Sequence, residues 1–184
     1  RKNWTENLLN YDAEKMVFVD ESGVNSNMTR IYGRFLGGTR CVDKTSLNTP
    51  TNTTILSSIR INGESVYTTY SEGTTGNKFV EYLRNTLVPT LHEGGIIVMD
   101  NIRSHHVKEV SEIINYSVKH LTLLYLLAYS PDFNPIEMMW SKIKSILRTR
   151  KVRDISMLTN AIKIAFLKIT ASDCIDWFSA VGLM

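Results

Sequence analysis

Two short runs of unbroken apolar residues, each ending in an aspartate, organise the hydrophobic pattern of this chain. Met16-Val17-Phe18-Val19 leads into Asp20, and Ile96-Ile97-Val98-Met99 leads into Asp100. Four apolar β-formers in a row suit a strand covered on both faces. Leu121 to Leu127 reads the same way. Arg30 to Leu36 reads as a strand closed by Gly37-Gly38, and Thr53 to Ile61 as a β-branched strand that stops at Asn62-Gly63. Asn-Gly is a strong hairpin signal, so Glu64 to Tyr70 is expected to be the returning strand. From Thr75 the period lengthens. Phe79, Val80, Leu83 and Leu87 share one face of a helix that ends near Pro89. Ser104 is expected to cap a helix carrying Val107, Val110 and Ile114 on one side. Tyr129 to Pro135 is a turn-rich loop, and a helix then runs from Pro135 or Ile136 to about Arg150. Ile155 to Ile169 and Asp173 to Leu183 read as two further helices.

Strands joined by hairpins, followed by strand–helix–strand units, make an α/β fold: a mixed sheet with helices on its faces. Residues 1–15 read as the end of a linker, 16–151 as the sheet domain, and 152–184 as a helical extension packed on the same domain. The 184 residues, 43% hydrophobic and 21% charged, suit one globular unit and exclude a disordered chain. Apolar runs reach only about eight residues, short of the roughly 20 that span a membrane. No signal peptide is visible. The chain begins with Arg and reads as a piece of a longer protein. Cys41 and Cys174 lack CxxC spacing, which points to free thiols in a reducing compartment. Only His105 and His106 lie close together, which argues against a histidine-built metal centre.

The net charge of +3 says little, but its distribution says more. Met138 to Arg153 holds Lys142, Lys144, Arg148, Arg150, Lys151 and Arg153 with no acid. Ser22 to Gly63 holds five basic residues against Asp43 alone. Such segments suit a surface that meets phosphates. In open α/β sheets ligands bind beyond the carboxyl ends of strands, where Asp20 and Asp100 both fall. On neighbouring parallel strands they would stand about 4.8 Å apart, and a divalent cation would relieve their repulsion. Glu137 opens the helix after the loop. At 100° per residue Ile136, Met139, Trp140, Ile143, Ile146 and Leu147 form its core stripe, while Ser141, Lys144 and Arg148 lie within about 40° of Glu137. A carboxylate followed by a basic row suits a metal ligand with phosphate contacts leading away from it. Two aspartates and a glutamate can hold two Mg²⁺ ions about 3.5–4 Å apart, for in-line displacement at phosphorus.

Phe18-Val19-Asp20-Glu21-Ser22-Gly23, Met99-Asp100-Asn101 with Ser104-His105, and Tyr129-Ser130-Pro131-Asp132-Phe133-Asn134-Pro135-Ile136-Glu137 with Trp140 resemble the catalytic domain of DDE transposases. The pattern is most similar to the bacterial insertion-sequence branch of the mariner superfamily, and it covers Met16 to about Arg150. The resemblance implies an RNase H-like fold with a mixed five-stranded sheet and Asp20, Asp100 and Glu137 as catalytic acids and metal ligands. Asp20 would bridge two Mg²⁺ ions, for which Mn²⁺ substitutes. It further implies cleavage of double-stranded DNA at transposon ends and joining to a target, commonly at TA. A homodimer in the full-length protein, a place at the bacterial nucleoid in the cytoplasm, and no organic cofactor or membrane also follow. Asn101, His105 and Asn134 would support the site, and Lys142, Lys144, Arg148, Arg150 and Lys151 would contact DNA. The family's N-terminal helix-turn-helix region has no counterpart here. Leu127-Ala128 stands where paired prolines are common, and the Asp100–Glu137 spacing is slightly long. Neither removes a ligand. An RNase H-like nuclease or resolvase and a non-catalytic DNA-binding descendant of a transposase are the alternatives.

Overall fold

The computed structural model describes residues 8, 10–30, 32–34, 36–38, 40–44, 52–101, 107–127 and 130–184. Its centre is a five-stranded sheet in the order β3-β2-β1-β4-β5, built from β1 (Met16–Asn25), β2 (Asn52–Ile59), β3 (Ser65–Tyr70), β4 (Ile96–Met99) and β5 (Thr122–Tyr125). β1–β2 and β2–β3 are antiparallel, whereas β1–β4 and β4–β5 are parallel. This is the expected mixed sheet. Five α-helices accompany it among the described residues: α1 (Gly76–Tyr82), α2 (Lys108–Asn115), α3 (Ile136–Arg150), α4 (Ile155–Phe166) and α5 (Ala171–Ala180). None is long and apolar enough to cross a membrane.

Alternation along β1 divides the core. Met16, Phe18 and Val24 face α3, α4 and α5, among Trp140, Ile162 and Phe178. Val17 and Val19 face the other way, toward Phe79, Tyr82, Val110 and Ile114. Each face of the sheet is thereby covered by helices, and the run of apolar residues in β1 and β4 is explained. α4 and α5 belong to the first core, with Phe178 edge-on to Phe18 at 5.4 Å between ring centroids and Phe166 stacked on Tyr67 at 4.0 Å.

Several local expectations change. The strand expected at Arg30 to Leu36 is not formed at its described residues, where Tyr32 and Leu36 are exposed. β1 already has a neighbour on each side, so the segment that follows it cannot fold back to pair beside it. The hairpin turn spans three residues, Ile61 to Gly63. Gly63 donates to the Arg60 carbonyl and takes the left-handed φ of 90° that a Cβ would disfavour. β1 does not stop at Asp20 but continues to Asn25 along β2. β5 is half-buried rather than covered on both faces, because it is the sheet's edge. The helix at Thr75 widens into a π-turn over Leu83–Leu87 as it approaches Pro89, which has no N–H to give. α2 begins at Lys108 with Val107 at its N-cap, and Ser104 lies outside the described residues.

Phe178→Ala is expected to lower stability by about 3–5 kcal/mol in urea unfolding, since a fully buried ring would leave a cavity against β1. A loss below about 1 kcal/mol would mean that α5 does not unfold with the sheet.

Candidate active site

The register of the parallel pair places the first two acids. β1 and β4 pair from Met16↔Ile96 to Val19↔Met99, so Asp20 and Asp100 are the next positions on adjacent strands. Asp100 stands just beyond the end of β4, as expected. Asp20 is held on its other side by pairing with Ser57 of β2. Its parity with Met16 and Phe18 turns it toward α3, and it is only 6% exposed.

The third acid arrives from the loop before α3. Pro131–Phe133 forms one 3-10 turn, and the Phe133 N–H donates to the Ser130 carbonyl at 3.2 Å. Asn134 is buried. Its Oδ1 accepts from the Ile136 N–H at 3.3 Å, and its carbonyl accepts from the Glu137 N–H at 3.2 Å. One side chain thus satisfies a helix-start donor that would otherwise lack a partner. Ile136, Met139, Trp140, Ile143 and Leu147 anchor the core face of α3, which leaves Glu137 at the rim.

The three carboxyl groups feel one another. Burial, followed by the Asp100 charge, pushes the Asp20 pKa up to about 7, and Glu137 adds to the effect. Partial burial of the Glu137 carboxyl group and then Asp100 raise Glu137 above its ordinary value, with Lys144 opposing. Against this, the Trp140 indole N–H donates to Asp20 Oδ2 at 2.9 Å, and the Glu21 backbone favours the charged form. Trp140 is a core residue, as its place on the helical stripe implied, but its polar edge was not anticipated. The available signal was general: a buried indole N–H needs an acceptor, and the nearest acid on that face was Asp20.

Three oxygen-donor side chains that repel one another at the end of a parallel strand pair fit a hard divalent cation in their chemistry. Among the described residues no group of three His, Cys, Asp or Glu side chains is already gathered into a metal-holding cluster. The mutual repulsion of the three acids is what a bound cation would relieve. Asn101 is exposed beside Asp100. His105 and Tyr129 lie outside the described residues.

The basic residues divide. Lys142 Nζ sits 2.5 Å from Asp173 Oδ2, and Asp173 also closes the capping box of α5 with Thr170. Lys142 therefore ties α5 to α3. Lys151 pairs with Asp43 at 2.5 Å. Lys144 and Arg148 remain in line behind Glu137, half-buried along their stems, and Arg150 is exposed.

A pH dependence follows from Asp20. The folded state holds its proton to about 7, against an ordinary value of 3.8, so protons favour the fold between those values. Without metal, this group makes stability fall as pH rises through that window. Asp20→Asn keeps an oxygen to accept from Trp140 and removes the charge. In EDTA at a pH about one unit above the folded pKa, its Tm should exceed that of the parent chain. A lower Tm there would mean that the buried charge is already compensated.

With this geometry established, likeness to known proteins is informative. The DDE superfamily endonuclease family matches residues 15–159. No curated protein matches the chain by sequence. Among solved structures, the Mos1 transposase paired-end complex with left transposon end superposes with a TM-score of 0.79 at 16% identity, covering 98% of this chain and 57% of that one. The Mos1 transposase catalytic domain with raltegravir and Mg gives 0.71 at 15% identity, covering 98% of this chain and 87% of that one. A third, the catalytic domain of Mos1 mariner transposase, gives 0.69 at 14%, with 98% and 85% covered. This chain thus spans a little over half of the Mos1 chain in the paired-end complex. The shared architecture is the RNase H-like fold. The match runs over most of the sequence and includes Asp20, Asp100 and Glu137, and the chain belongs to the DDE superfamily endonucleases.

Proposed function

We propose that this chain is the catalytic domain of a DNA transposase, which cleaves phosphodiester bonds at transposon ends and joins the freed 3′ end to target DNA, commonly at TA. The observation that supports the reading is that the charges of Asp20, Asp100 and Glu137 act on one another beside the end of the β1–β4 pair, with the basic row of α3 leading away from them. The insertion-sequence branch rests on the sequence strings around these acids. The full-length protein would act as a homodimer on paired ends, in the cytoplasm at the nucleoid.

Asp20 is read as the shared ligand of two Mg²⁺ or Mn²⁺ sites, with Asp100 and Glu137 each completing one. Metal held by these acids would lower the pKa of an attacking water or hydroxyl and offset charge on the leaving oxygen. The protein's own part is position and charge. Trp140 fixes one Asp20 oxygen, and so limits rotation of the carboxylate. Asn134 sets the first turn of α3 and thereby the place of Glu137. Lys144 and Arg148 offer charges along the path of the DNA backbone, where they fix register without reading bases.

Nicking of supercoiled plasmid in Mn²⁺ tests the chemistry. Asp20→Asn, Asp100→Asn and Glu137→Gln should each lower the rate by at least roughly 100-fold, the scale of losing a group that acts on the transition state. Nicking by Glu137→Gln at the parent rate would remove Glu137 from the ligand set. For the basic row, Lys144→Ala and Arg148→Ala should each flatten the dependence of log K on log salt by about 0.9, one phosphate contact. An unchanged slope in both would make the row an ordinary solvated face.

A further inference from the structure

Described residues of the connection between β1 and β2 meet the far end of α3 at an open groove of about 570 Å³. Arg30, Tyr32 and Arg34 line it from the connection, and Thr149 and Lys151 from the end of α3. Among the described residues, three side chains donate four hydrogen bonds that hold the two sides together. Arg153 donates to the carbonyls of Ser26 and Met28 at 3.0 and 3.2 Å, Arg30 Nε donates to Thr149 Oγ1 at 3.3 Å, and Lys151 Nζ donates to Asp43 Oδ2 at 2.5 Å.

The charge balance of this groove is one-sided. Arg30, Arg34 and Lys151 line it, Arg153 adds its field at Asp43, and Arg148 and Arg150 stand on the adjoining turn. The lone acid between Ser22 and Gly63 is Asp43, and its carboxylate lies on Lys151 inside the groove. A carboxylate among guanidinium and ammonium groups takes the place that a phosphate oxygen would take. Tyr32 is 89% exposed at the same groove, an aromatic face beside the cations where a sugar or base edge can rest.

From these contacts we infer that the groove is a seat for a DNA backbone phosphate, closed in the free protein by Asp43, which the phosphate displaces. This inference rests on the reading of the chain as a DNA-acting enzyme and adds a contact beyond the α3 row. Lys151 follows Glu137 by 14 residues (151 minus 137), about 21 Å along a helix at 1.5 Å per residue. A duplex that reaches both the acids and the seat would thus span about 21 Å, roughly six base-pair rises of 3.4 Å along its axis. The internal carboxylate makes DNA binding weaker than the exposed cations alone would give. Initial encounter with any duplex is thereby held down until the backbone is long enough to reach both the acids and the seat.

The test is fluorescence anisotropy of the whole 184-residue chain with a labelled 20-base-pair duplex across a salt series, with melting curves to establish that each variant is folded. Asp43→Asn should tighten binding by roughly two- to fivefold at low salt, the scale of one exposed ion pair relieved. Asp176→Asn, which removes an equal charge from exposed α5, should change it less. Arg34→Ala should reduce the salt slope by about 0.9, and it serves as the second variant should Asp43→Asn disturb the connection. If Asp43→Asn binds no more tightly than Asp176→Asn and Arg34→Ala keeps the parent slope while Lys144→Ala lowers it, the seat is wrong and the DNA reading stands. If the parent chain binds no duplex even at low salt, both fall.

Discussion

A carboxylate buried beside two others is the constraint around which this structure is arranged. Asp20 sits on the covered face of β1, with Asp100 one strand away and Glu137 facing it from α3. Burial and like charge both oppose its ionisation, and the fold opposes them only in part, through the Trp140 indole and the Glu21 backbone. At the proposed metal site, a cation would meet the need of a carboxylate that poorly solvated. The features that raise its pKa would then favour metal binding, so stability and the proposed function pull in opposite directions at this position.

The rest of the molecule keeps that arrangement rigid. The parallel register of β1 and β4 fixes two of the acids relative to each other, and the core stripe of α3 fixes the third relative to both. α3 is held in turn from behind. α4 and α5 share its core, Phe166 meets Trp140 edge-on, and Lys142 joins α3 to the capping box that starts α5. The residues after Arg150 thus bear on the site without lining it. A change at Phe166 or Asp173 would reach the acids through the orientation of α3.

Much of this was legible in the sequence, for physical reasons that differ from residue to residue. The runs before Asp20 and Asp100 are apolar at every position because both sheet faces are covered, and such runs stand out. α3 was equally clear because its stripe keeps one period from Ile136 to Leu147. Asn62-Gly63 marked the hairpin, although the turn takes three residues and not two. The failures have a common source in partners that local pattern cannot show. Arg30 to Leu36 has strand-like composition, but the strand it follows, β1, is already paired on both sides. β1 outlasts Asp20 because β2, not β4, pairs with its second half. The Lys142–Asp173 pair is equally hidden from local pattern, because α5 supplies its acid. Trp140 was read by its bulk and not by its single N–H, which is the part that reaches the site.

The central claim is that the three acids form a site for divalent metal, and calorimetric titration with Mn²⁺ tests it most directly. The chain and its Asp100→Asn variant would be titrated, each with and without a short duplex. Saturable binding by the parent chain, lost or greatly weakened in the variant, is the predicted result. Where DNA phosphate completes the coordination, duplex strengthens the binding. A folded parent chain that takes up no Mn²⁺ even with duplex, or a variant that binds as tightly as the parent, would contradict the claim and leave the acids a structural role alone.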